Sequence, residues 1–160
     1  MEAILIHSYP LPPSENKIYA NVPGVGRVAT KELKNYRKEC IDYALKNHTM
    51  FKEVHRMRIS EWKEFDHFKV DYFFTFKRER LYNKQGGIKK LDVANRIKAC
   101  QDCLFASLGM DDKVVWASSV EKMCGENEGV HIIIHPHTPI SAIELMEMFQ
   151  DRPEATKLFS

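Results

Sequence analysis

One stretch of alternating aromatic residues limits the fold more than any other feature of this sequence. In FKVDYFFTF, residues 68–76, a large apolar side chain stands at every second position, and most of the stretch is aromatic or β-branched. A period of two in residues that favour strands predicts a β-strand with one buried face. We expect this strand to lie centrally in a sheet.

The N-terminal part of the chain predicts a strand, a loop and a helix. AILIHSY, residues 3–9, has the composition of a strand, and the prolines of PLPPSENKIY, residues 10–19, prevent that strand from continuing. We expect residues 10–19 to form an irregular, exposed loop. Thr30 is a good helix N-cap, and the spacing of the apolar residues after it predicts a helix that ends near Asn47. Its apolar positions are Leu33, Tyr36, Cys40, Ala44 and Leu45.

The C-terminal part predicts two strands and a short helix. KVVWASSVEKM and GVHIIIHP have the pattern of strands, and the turn-rich CGENEG between them favours a hairpin. Ser141 and Glu144 have the spacing of a capping box, which predicts a short helix at about residues 141–150. Together with a helix that begins near Asp92, this order of elements predicts a single α+β domain over residues 1–160, with helices packed on a mixed sheet.

Length and composition limit the class of protein. A chain of 160 residues that is 44% hydrophobic can bury one sizeable core, and we expect one domain. No apolar run approaches the roughly 18 residues of a membrane-spanning helix, and the start of the sequence lacks the features of a signal peptide. We therefore expect a cytoplasmic protein that does not bind a membrane, with its four cysteines reduced.

The segment LDVANRIKACQDCLFASLGMDD, residues 91–112, predicts a helix with two different faces. Gly109 is the residue expected just after a helix C-terminus. Asn95, Lys98 and Asp102 lie close together on one face, so the helix presents polar groups away from the core. Apolar residues at helical spacing form a stripe on another face, which can pack on a sheet: Val93, Ile97, Cys100, Leu104 and Leu108.

A cationic loop leads into this helix. Residues 77–90 contain six basic residues and one acid, a net charge of +5 in a chain whose total charge is +2. Most charge runs are solvated surface. Beside acids, however, such a segment gives the phosphates of DNA a place to bind and makes that binding depend on salt. The basic residues are Lys77, Arg78, Arg80, Lys84, Lys89 and Lys90.

Carboxylates stand at both ends of the predicted helix, with Asp92 at its start and Asp111 and Asp112 beyond its end. Each has a simple structural explanation, since Asp commonly caps a helix and Asp-Asp commonly forms a turn. Alternatively, carboxylates can hold a hard cation such as Mg²⁺ together with water and phosphate oxygens. A helix over residues 93–108 is about 24 Å long, so the acids meet only if the chain folds back after Gly109 or the helix is shorter.

Two segments resemble the RusA family of Holliday junction resolvases. PLPPSENKIY resembles the family's opening, Pro-Pro-Ser-x-Asn-x-x-Tyr. LDVANRIKACQDCLFASLGMDDKVV resembles its second pattern, in which Asp-x-Asp-Asn-x-x-Lys is followed by a helical Asp and Leu and then by Asp-Asp before a valine-rich strand. The resemblance covers the N-terminal loop and roughly residues 89–115, and several spaced residues agree in the right order.

The resemblance implies a RusA-like, Mg²⁺-dependent endonuclease that cuts four-way DNA junctions, with Mn²⁺ as a substitute metal. It also implies a phage or prophage protein that acts in a bacterial cytoplasm. We expect a homodimer, because a junction offers symmetry-related strands to two identical sites.

The resemblance also implies roles for individual residues. Asp92 and Asp112 would be metal ligands and catalytic residues, Asp111 would lie beside them as a further ligand, and Lys98 would assist catalysis. The DNA-binding residues would be Lys84, Lys89, Lys90, Arg96 and Lys98. Supporting residues would be Ser14, Asn16, Tyr19, Asn95 and Asp102.

Ala94 departs from the family pattern, which has a second Asp at this position. A methyl group can neither bind a metal nor take a proton, so one expected ligand is missing. Three explanations are open. The change could be an engineered block of cleavage, the chain could be a homologue that binds junctions without cutting them, or another acid could replace the ligand. Candidate substitutes are Asp71, Glu79 and Asp102.

Cys100 and Cys103 suggest a different function, because a C-x-x-C pair could bind zinc with His131, His135 and His137 as further ligands. The chain would then be a zinc-binding interaction module. Structural zinc sites usually take two close ligand pairs from turns, whereas Cys100 lies on the apolar stripe of a helix. The spacing of His131 and His135 also fits one face of a strand. We favour the nuclease interpretation.

Overall fold

A computed structural model describes residues 3–150 of the chain. The strands are β1 (Ile4–Tyr9), β2 (Tyr19–Val22), β3 (Gly26–Ala29), β4 (Phe68–Phe76), β5 (Val115–Cys124) and β6 (Gly129–Pro136). The α-helices are α1 (Lys31–Lys46), α2 (His48–Ser60), α3 (Arg78–Leu81), α4 (Ala94–Leu108) and α5 (Ala142–Gln150). Short 3₁₀ helices lie at Glu15–Lys17 and Asp112–Val114.

The main sheet has the strand order β1-β6-β4-β5, and the predicted α+β class is confirmed. β4 lies inside this sheet, as its sequence predicts, because it pairs antiparallel with β6 and parallel with β5. α4 forms the crossover between the parallel strands β4 and β5. The predicted apolar face of β4 is fully buried: Phe68, Val70, Tyr72, Phe74 and Phe76.

The predicted hairpin between β5 and β6 is wrong. These two strands are not neighbours in the described sheet, because β4 lies between them. The turn that joins them crosses the C-terminal end of β4, where the Gly125 amide donates to the Phe76 carbonyl at 3.0 Å. A turn-rich segment indicates that the chain reverses direction, but it does not specify whether the strands on either side pair with each other.

The helix predicted after Thr30 is confirmed as α1. The Thr30 hydroxyl accepts a hydrogen bond from the Leu33 amide at 3.4 Å, and Leu33 and Cys40 are buried. The assignment of Leu45 to the apolar face is wrong, since its side chain is 67% exposed. One residue is a step of about 100° around a helix, so Leu45 turns away from the stripe that Ala44 continues.

The second predicted helix is confirmed as α4, which begins one residue later than expected, at Ala94. Cys100 and Leu108 are buried as the stripe predicts, together with Leu104 and the additional core residue Phe105. The N-terminal end of the stripe is less deeply buried than its centre.

The sequence interpretation missed the strands β2 and β3 and the helices α2 and α3. β2 and β3 pair as a separate hairpin between the N-terminal loop and α1. α2 follows α1 after the single residue Asn47 and adds Phe51, Val54 and Met57 to the core. Asn47 is the N-cap residue of α2, but its side chain makes no capping hydrogen bond. The sequence therefore gives little local indication of the boundary between the two helices.

The C-terminal helix is confirmed as α5, and so is its capping box. The Ser141 amide donates to Glu144 Oε2 at 2.6 Å, and the Glu144 amide donates to Ser141 Oγ at 3.1 Å. All residues of α5 are exposed. The prediction of one domain over residues 1–160 includes positions outside the described range and stays a prediction. Across residues 3–150, no helix has the length and apolarity that crossing a membrane requires.

Candidate active site

The polar face of α4 carries a close charge pair. Lys98 Nζ lies 3.2 Å from Asp102 Oδ1, one turn further along the helix. The hydrogen bond and charge of Asp102 raise the pKa of Lys98 above its usual value, and the nearby Asp112 and Tyr19 add to this shift. Lys98 is therefore protonated at neutral pH. Asp102, Asp112 and Tyr19, three other predicted residues, are therefore close enough to Lys98 to affect its charge.

The chain folds back at the end of α4. Gly109 has a φ of 63°, in the left-handed region that favours glycine, and the Met110 amide donates to the Phe105 carbonyl at 2.9 Å. The 3₁₀ helix Asp112–Val114 then contacts α4. This fold-back carries Asp112 toward Lys98. α4 is about 22 Å long, and Asp92 precedes its first turn. Asp92 and Asp112 therefore lie near opposite ends of this helix.

Asp92 lies just before α4. Its Oδ1 accepts from the Ala94 amide at 2.9 Å, and its Oδ2 accepts from Asn95 Nδ2 at 2.8 Å. Asp92 therefore supports the first turn of α4, although it is not the N-cap residue itself. Each carboxylate oxygen has a second acceptor site, so these hydrogen bonds leave Asp92 able to bind a cation. Lys122 Nζ also donates to the Leu91 carbonyl at 3.1 Å, which fixes the residue before Asp92 to β5.

Asp111 and Asp112 form the turn before β5, which confirms their structural explanation. Asp111 Oδ1 accepts from the Lys113 amide at 3.0 Å, and its Oδ2 lies 3.3 Å from Lys113 Nζ. These contacts hold the pKa of the Asp111 carboxyl below its usual value. Asp112 is exposed and lies toward Lys98. Of the two acids, Asp112 is therefore better placed to face a substrate bound at Lys98.

The acids supply the type of ligand that Mg²⁺ takes, but they do not form a complete cluster. Within residues 3–150, no group of three His, Cys, Asp or Glu side chains is arranged to hold a metal ion. Mg²⁺ usually keeps several waters and needs only one or two carboxylates with phosphate oxygens. The carboxylates of Asp92 and Asp112 are therefore ligands of the type that Mg²⁺ requires. Ala94 is exposed at the first position of α4, next to Asp92. A carboxylate at this position would add an oxygen ligand beside Asp92.

The structure separates the two halves of the alternative zinc site. Cys100 and Cys103 are free thiols on α4, and burial raises the pKa of the Cys100 thiol, which disfavours the thiolate that zinc requires. His135 Nε2 lies 3.2 Å from Asp71 Oδ2, on the face of the sheet that points away from α4. These residues therefore give the zinc hypothesis no support.

Asp71 cannot replace a ligand at position 94. Tyr72 Oη donates to Gln101 Oε1 of α4 at 2.7 Å, so α4 covers the face of β4 to which Tyr72 belongs. Neighbouring residues of a strand point to opposite faces, which puts Asp71 on the other side of the sheet from α4. Its nearest polar partners belong to that side: Lys69, Ser119 and His135.

The other two substitute acids differ in their distance from the site. Glu79 belongs to α3, where its backbone carbonyl accepts from Lys89 Nζ at 2.6 Å. Asp102 lies on α4 itself and already contacts Lys98. Asp102 is therefore the substitute acid closest to the polar face of α4.

The N-terminal loop, which carries the family's opening motif, packs against α4. Arg96 Nη1 donates to the Pro12 carbonyl at 2.5 Å, and the 3₁₀ helix Glu15–Lys17 contacts α4. Ser14 lines a cavity of about 410 Å³ between this loop, α1 and Arg96, while Asn16 is exposed. The expectation that the whole loop is exposed is wrong, because Pro12 is buried where α4 covers it.

Arg96 faces inward. Its guanidinium lies 5.7 Å from the centre of the Phe76 ring, and burial and the neighbouring Arg80 lower its pKa. Arg80 in turn forms an ion pair with Glu128 at 3.0 Å. Arg96 therefore ties α4 to the N-terminal loop, a position that favours a structural role over a DNA contact. Sequence reasoning missed Glu128 and Lys122, because each reaches this region from a distant part of the chain.

The cationic loop is an ordered turn, here named the cationic hairpin (residues 81–90). Tyr82 and Ile88 form a β-bridge, and the Lys89 amide donates to the Leu81 carbonyl at 2.8 Å. All three predicted DNA-binding lysines of this segment are exposed, but Lys89 also uses its ammonium to bind the Glu79 carbonyl. Lys84 and Lys90 are therefore the two lysines of the hairpin that are most available to bind a phosphate.

Residues 10–135 match the family model described as endodeoxyribonuclease RusA. The match includes the N-terminal loop, the cationic hairpin, α4 and the acidic turn after it, and it extends to β6. No curated protein sequence matches the chain significantly. The family resolves Holliday junctions, and its nucleases depend on a divalent metal. This chain belongs to the RusA endodeoxyribonuclease family.

Proposed function

We propose that this protein is a Mg²⁺-dependent endonuclease that resolves four-way DNA junctions. The observation that carries the proposal is the polar face of α4. Lys98 forms an ion pair with Asp102 on this face, the charge of Asp112 acts on it from beyond the end of the helix, and the N-terminal loop of the family pattern packs against the same helix. Asp92 stands at the start of the same helix, next to the position where the family has another acid.

The proposed roles follow from the charges and contacts of these residues. Asp92 would bind Mg²⁺, or Mn²⁺ in its place, at the start of α4, and Asp112, with Asp111 beside it, would supply metal ligands at the other end of the helix. A bound divalent cation supplies positive charge at a phosphate and acidifies water. The protonated Lys98 would oppose negative charge that develops on the phosphate. Asp102 holds this ammonium, and Asn95 would act as a positioning residue through its hydrogen bond to Asp92.

The cationic hairpin would bind the DNA backbone. Lys84 and Lys90 are exposed and adjoin the segment that leads to Asp92. Each phosphate contact would release counterions and so make the affinity depend on salt. We also propose that the protein acts as a homodimer, since a two-fold axis would relate two active sites to the two strands that must be cut.

Ala94→Asp is the experiment that tests the proposed function. Ala94 is exposed, and an acid in the first turn of a helix is favoured by the helix dipole, so the variant should fold. We expect Mg²⁺-dependent cleavage of labelled four-way junctions to rise at least about tenfold, because loss of a group that only supports a metal ligand already costs about 10–100-fold. Ala94→Asn is the matched control, since it has the same shape without the charge and should not raise cleavage.

The outcomes separate the explanations for Ala94. Adding Asp92→Asn to Ala94→Asp should abolish cleavage again. If the unmodified chain already cuts efficiently and Ala94→Asp cuts no better, a substitute acid completes the site, and Asp102 is the first to replace. If both bind junctions but neither cuts with any divalent metal, the protein is a non-catalytic junction-binding protein and the nuclease proposal fails.

A further inference from the structure

Ile88 occupies an unusual position for an apolar residue. Its side chain is 82% exposed, more than any other large apolar side chain that the structure describes. It belongs to the cationic hairpin, where it is followed by Lys89 and Lys90 and precedes Asp92 by four residues. Single exposed apolar residues are common on protein surfaces, so exposure alone decides nothing. The conformation and charge of the surrounding segment bear on what Ile88 could contact.

The turn before Ile88 is locked by hydrogen bonds. The Asn83 amide donates to the Gly87 carbonyl at 2.8 Å, and Asn83 Oδ1 accepts from the amides of Gln85 and Gly87 at 3.0 and 2.7 Å. Gly86 has a φ of 84°, and a Cβ atom on Gly87 would lie 2.8 Å from Asn83 Nδ2. Gly86 is therefore favoured by the shape of this turn, and a side chain at position 87 would displace the Asn83 side chain that holds the turn. Ile88 is presented by a defined backbone.

The hairpin is also fixed to the centre of the fold. Leu81, at its base, is buried, and α3 connects it directly to the end of β4. The Arg78 guanidinium lies 5.0 Å from the centre of the Tyr82 ring. Lys89 Nζ reaches back to the Glu79 carbonyl. These contacts hold Ile88 in a fixed place relative to the sheet, so ordering it on binding would require little further loss of entropy.

The surroundings of Ile88 match one kind of partner. An apolar side chain flanked by exposed cations suits DNA, because proteins that bend or open DNA hold its phosphates with Lys or Arg and insert a residue such as Ile or Leu between base pairs. A purely apolar protein surface would leave the charges of Lys84 and Lys90 without partners, at a cost in desolvation.

We propose that Ile88 is a wedge that enters the branch point of the junction and unstacks the base pairs there. The inference rests on the proposed function, since it assumes that the cationic hairpin binds junction DNA. Base pairs at a branch point lack a continuous stack, so separating them costs less than opening an uninterrupted duplex. A wedge at a fixed distance from Asp92 would also set the distance between the branch point and the phosphate that is cut.

The test uses a junction with 2-aminopurine at the branch point, because this base fluoresces more strongly when it is unstacked. The full chain is added to saturation with Ca²⁺ in place of Mg²⁺, so that binding is measured without cleavage. We expect the unmodified chain to raise the fluorescence and Ile88→Ala to lose most of that rise even at saturation. Ile88→Leu should keep it. Ile88→Ala should also weaken junction binding about tenfold, the change that corresponds to about 1.4 kcal/mol.

Lys84→Gln is the matched control, because it removes a charge from the same hairpin and leaves Ile88 in place. It should weaken binding at a given salt concentration but give the full fluorescence rise at saturation. A rise that is unchanged in Ile88→Ala, or junction binding by the unmodified chain without any rise, would overturn the wedge and leave the proposed function standing. Failure of the unmodified chain to bind junctions would overturn both. A loss of dimer in Ile88→Ala would instead assign Ile88 to a protein interface and overturn the wedge.

Discussion

At the scale of single residues, the acids around α4 combine structural and chemical roles. Asp92 accepts hydrogen bonds from the first amide of α4 and from the Asn95 side chain, and Asp111 caps the turn that leads to β5. An acid held by such hydrogen bonds keeps one orientation, which suits a group that must face a cation. The structural explanation of each acid and the proposed ligand role are therefore compatible. Cleavage assays and unfolding measurements on the same variants can separate the two contributions.

Asp71 gives a residue-scale prediction that does not depend on nuclease activity. Burial alone would raise its pKa, but hydrogen bonds from Ser119, His135 and Lys69 outweigh burial and hold the pKa below its usual value. With a folded pKa below the unfolded one, the stabilisation is fully present above about pH 4 and is lost as the pH falls through the folded value. We expect Asp71→Asn to lower the free energy of unfolding by about 1–2 kcal/mol at pH 7.

The measurement is urea unfolding of both proteins at pH 7 and at pH 3. The difference between them should be smaller at pH 3, because this pH lies below the usual pKa of Asp in an unfolded chain, and protonation of the unfolded state reduces the stabilisation that Asp71 contributes. Ser119→Ala is a useful control, because it removes one of the hydrogen bonds that lower the pKa and should move the pH dependence toward higher pH. A difference that is the same at both pH values would contradict the assigned cause.

At the scale of elements, the contacts within the cationic hairpin predict that its three lysines contribute unequally to DNA binding. Lys84 and Lys90 are exposed, whereas Lys89 binds the Glu79 carbonyl within the hairpin. We expect Lys84→Gln and Lys90→Gln each to weaken junction binding and to flatten the slope of log affinity against log salt by about 0.9. Lys89→Gln should change the slope less. Titrations of labelled junction between low and moderate salt measure these slopes.

The triple variant with Gln at all three positions should have the weakest and least salt-dependent binding. Lys34→Gln is a control on α1, an exposed lysine outside the hairpin. If the triple variant keeps the slope of the unmodified protein, the hairpin is solvated surface and the phosphates are bound elsewhere.

Strands and helices with a regular spacing of apolar residues could be predicted from the sequence. The strands and helices against which they pack could not. The alternation in β4 and the apolar stripes of α1 and α4 follow from burial of one face, which is a local property of each element. The pairing of β5 with β4 depends on α4 acting as a crossover, which no turn residue specifies. Pro23 and Gly24 form the turn of the missed β2–β3 hairpin, so a local signal was present there.

At the scale of the whole molecule, the site required both the sequence pattern and the path of the chain. The resemblance predicts Asp92, Lys98 and Asp112 as site residues from their order in the sequence. Their geometry depends on the left-handed Gly109 and on the contact between the acidic turn and α4. Spacing along one helix could not predict that Asp112 approaches Lys98, because the approach follows from the packing of β5 beside β4.

We expect the protein to be a homodimer in solution. Junction resolution needs two paired cuts, and two copies related by a two-fold axis supply them. Apolar side chains on α5, including Ile143 and Met146, are exposed on one copy, so the molecule has apolar surface available for association. Light scattering at micromolar concentration, with and without junction DNA, measures the oligomeric state of the protein. A monomer under both conditions would contradict the prediction.

The place of β6 between β1 and β4 affects how the protein can fold as it is synthesised. Ile4 pairs with Ile134, so β1, which is synthesised before the other described strands, must wait for β6, the last of them, before it gains a partner. β4 likewise waits for β5 on one edge and β6 on the other. Closing loops of this length is slow because it restricts most of the chain before many contacts form. The sheet therefore cannot be completed during synthesis of its first hundred residues, and the aromatic face of β4 depends on helices for early protection from aggregation.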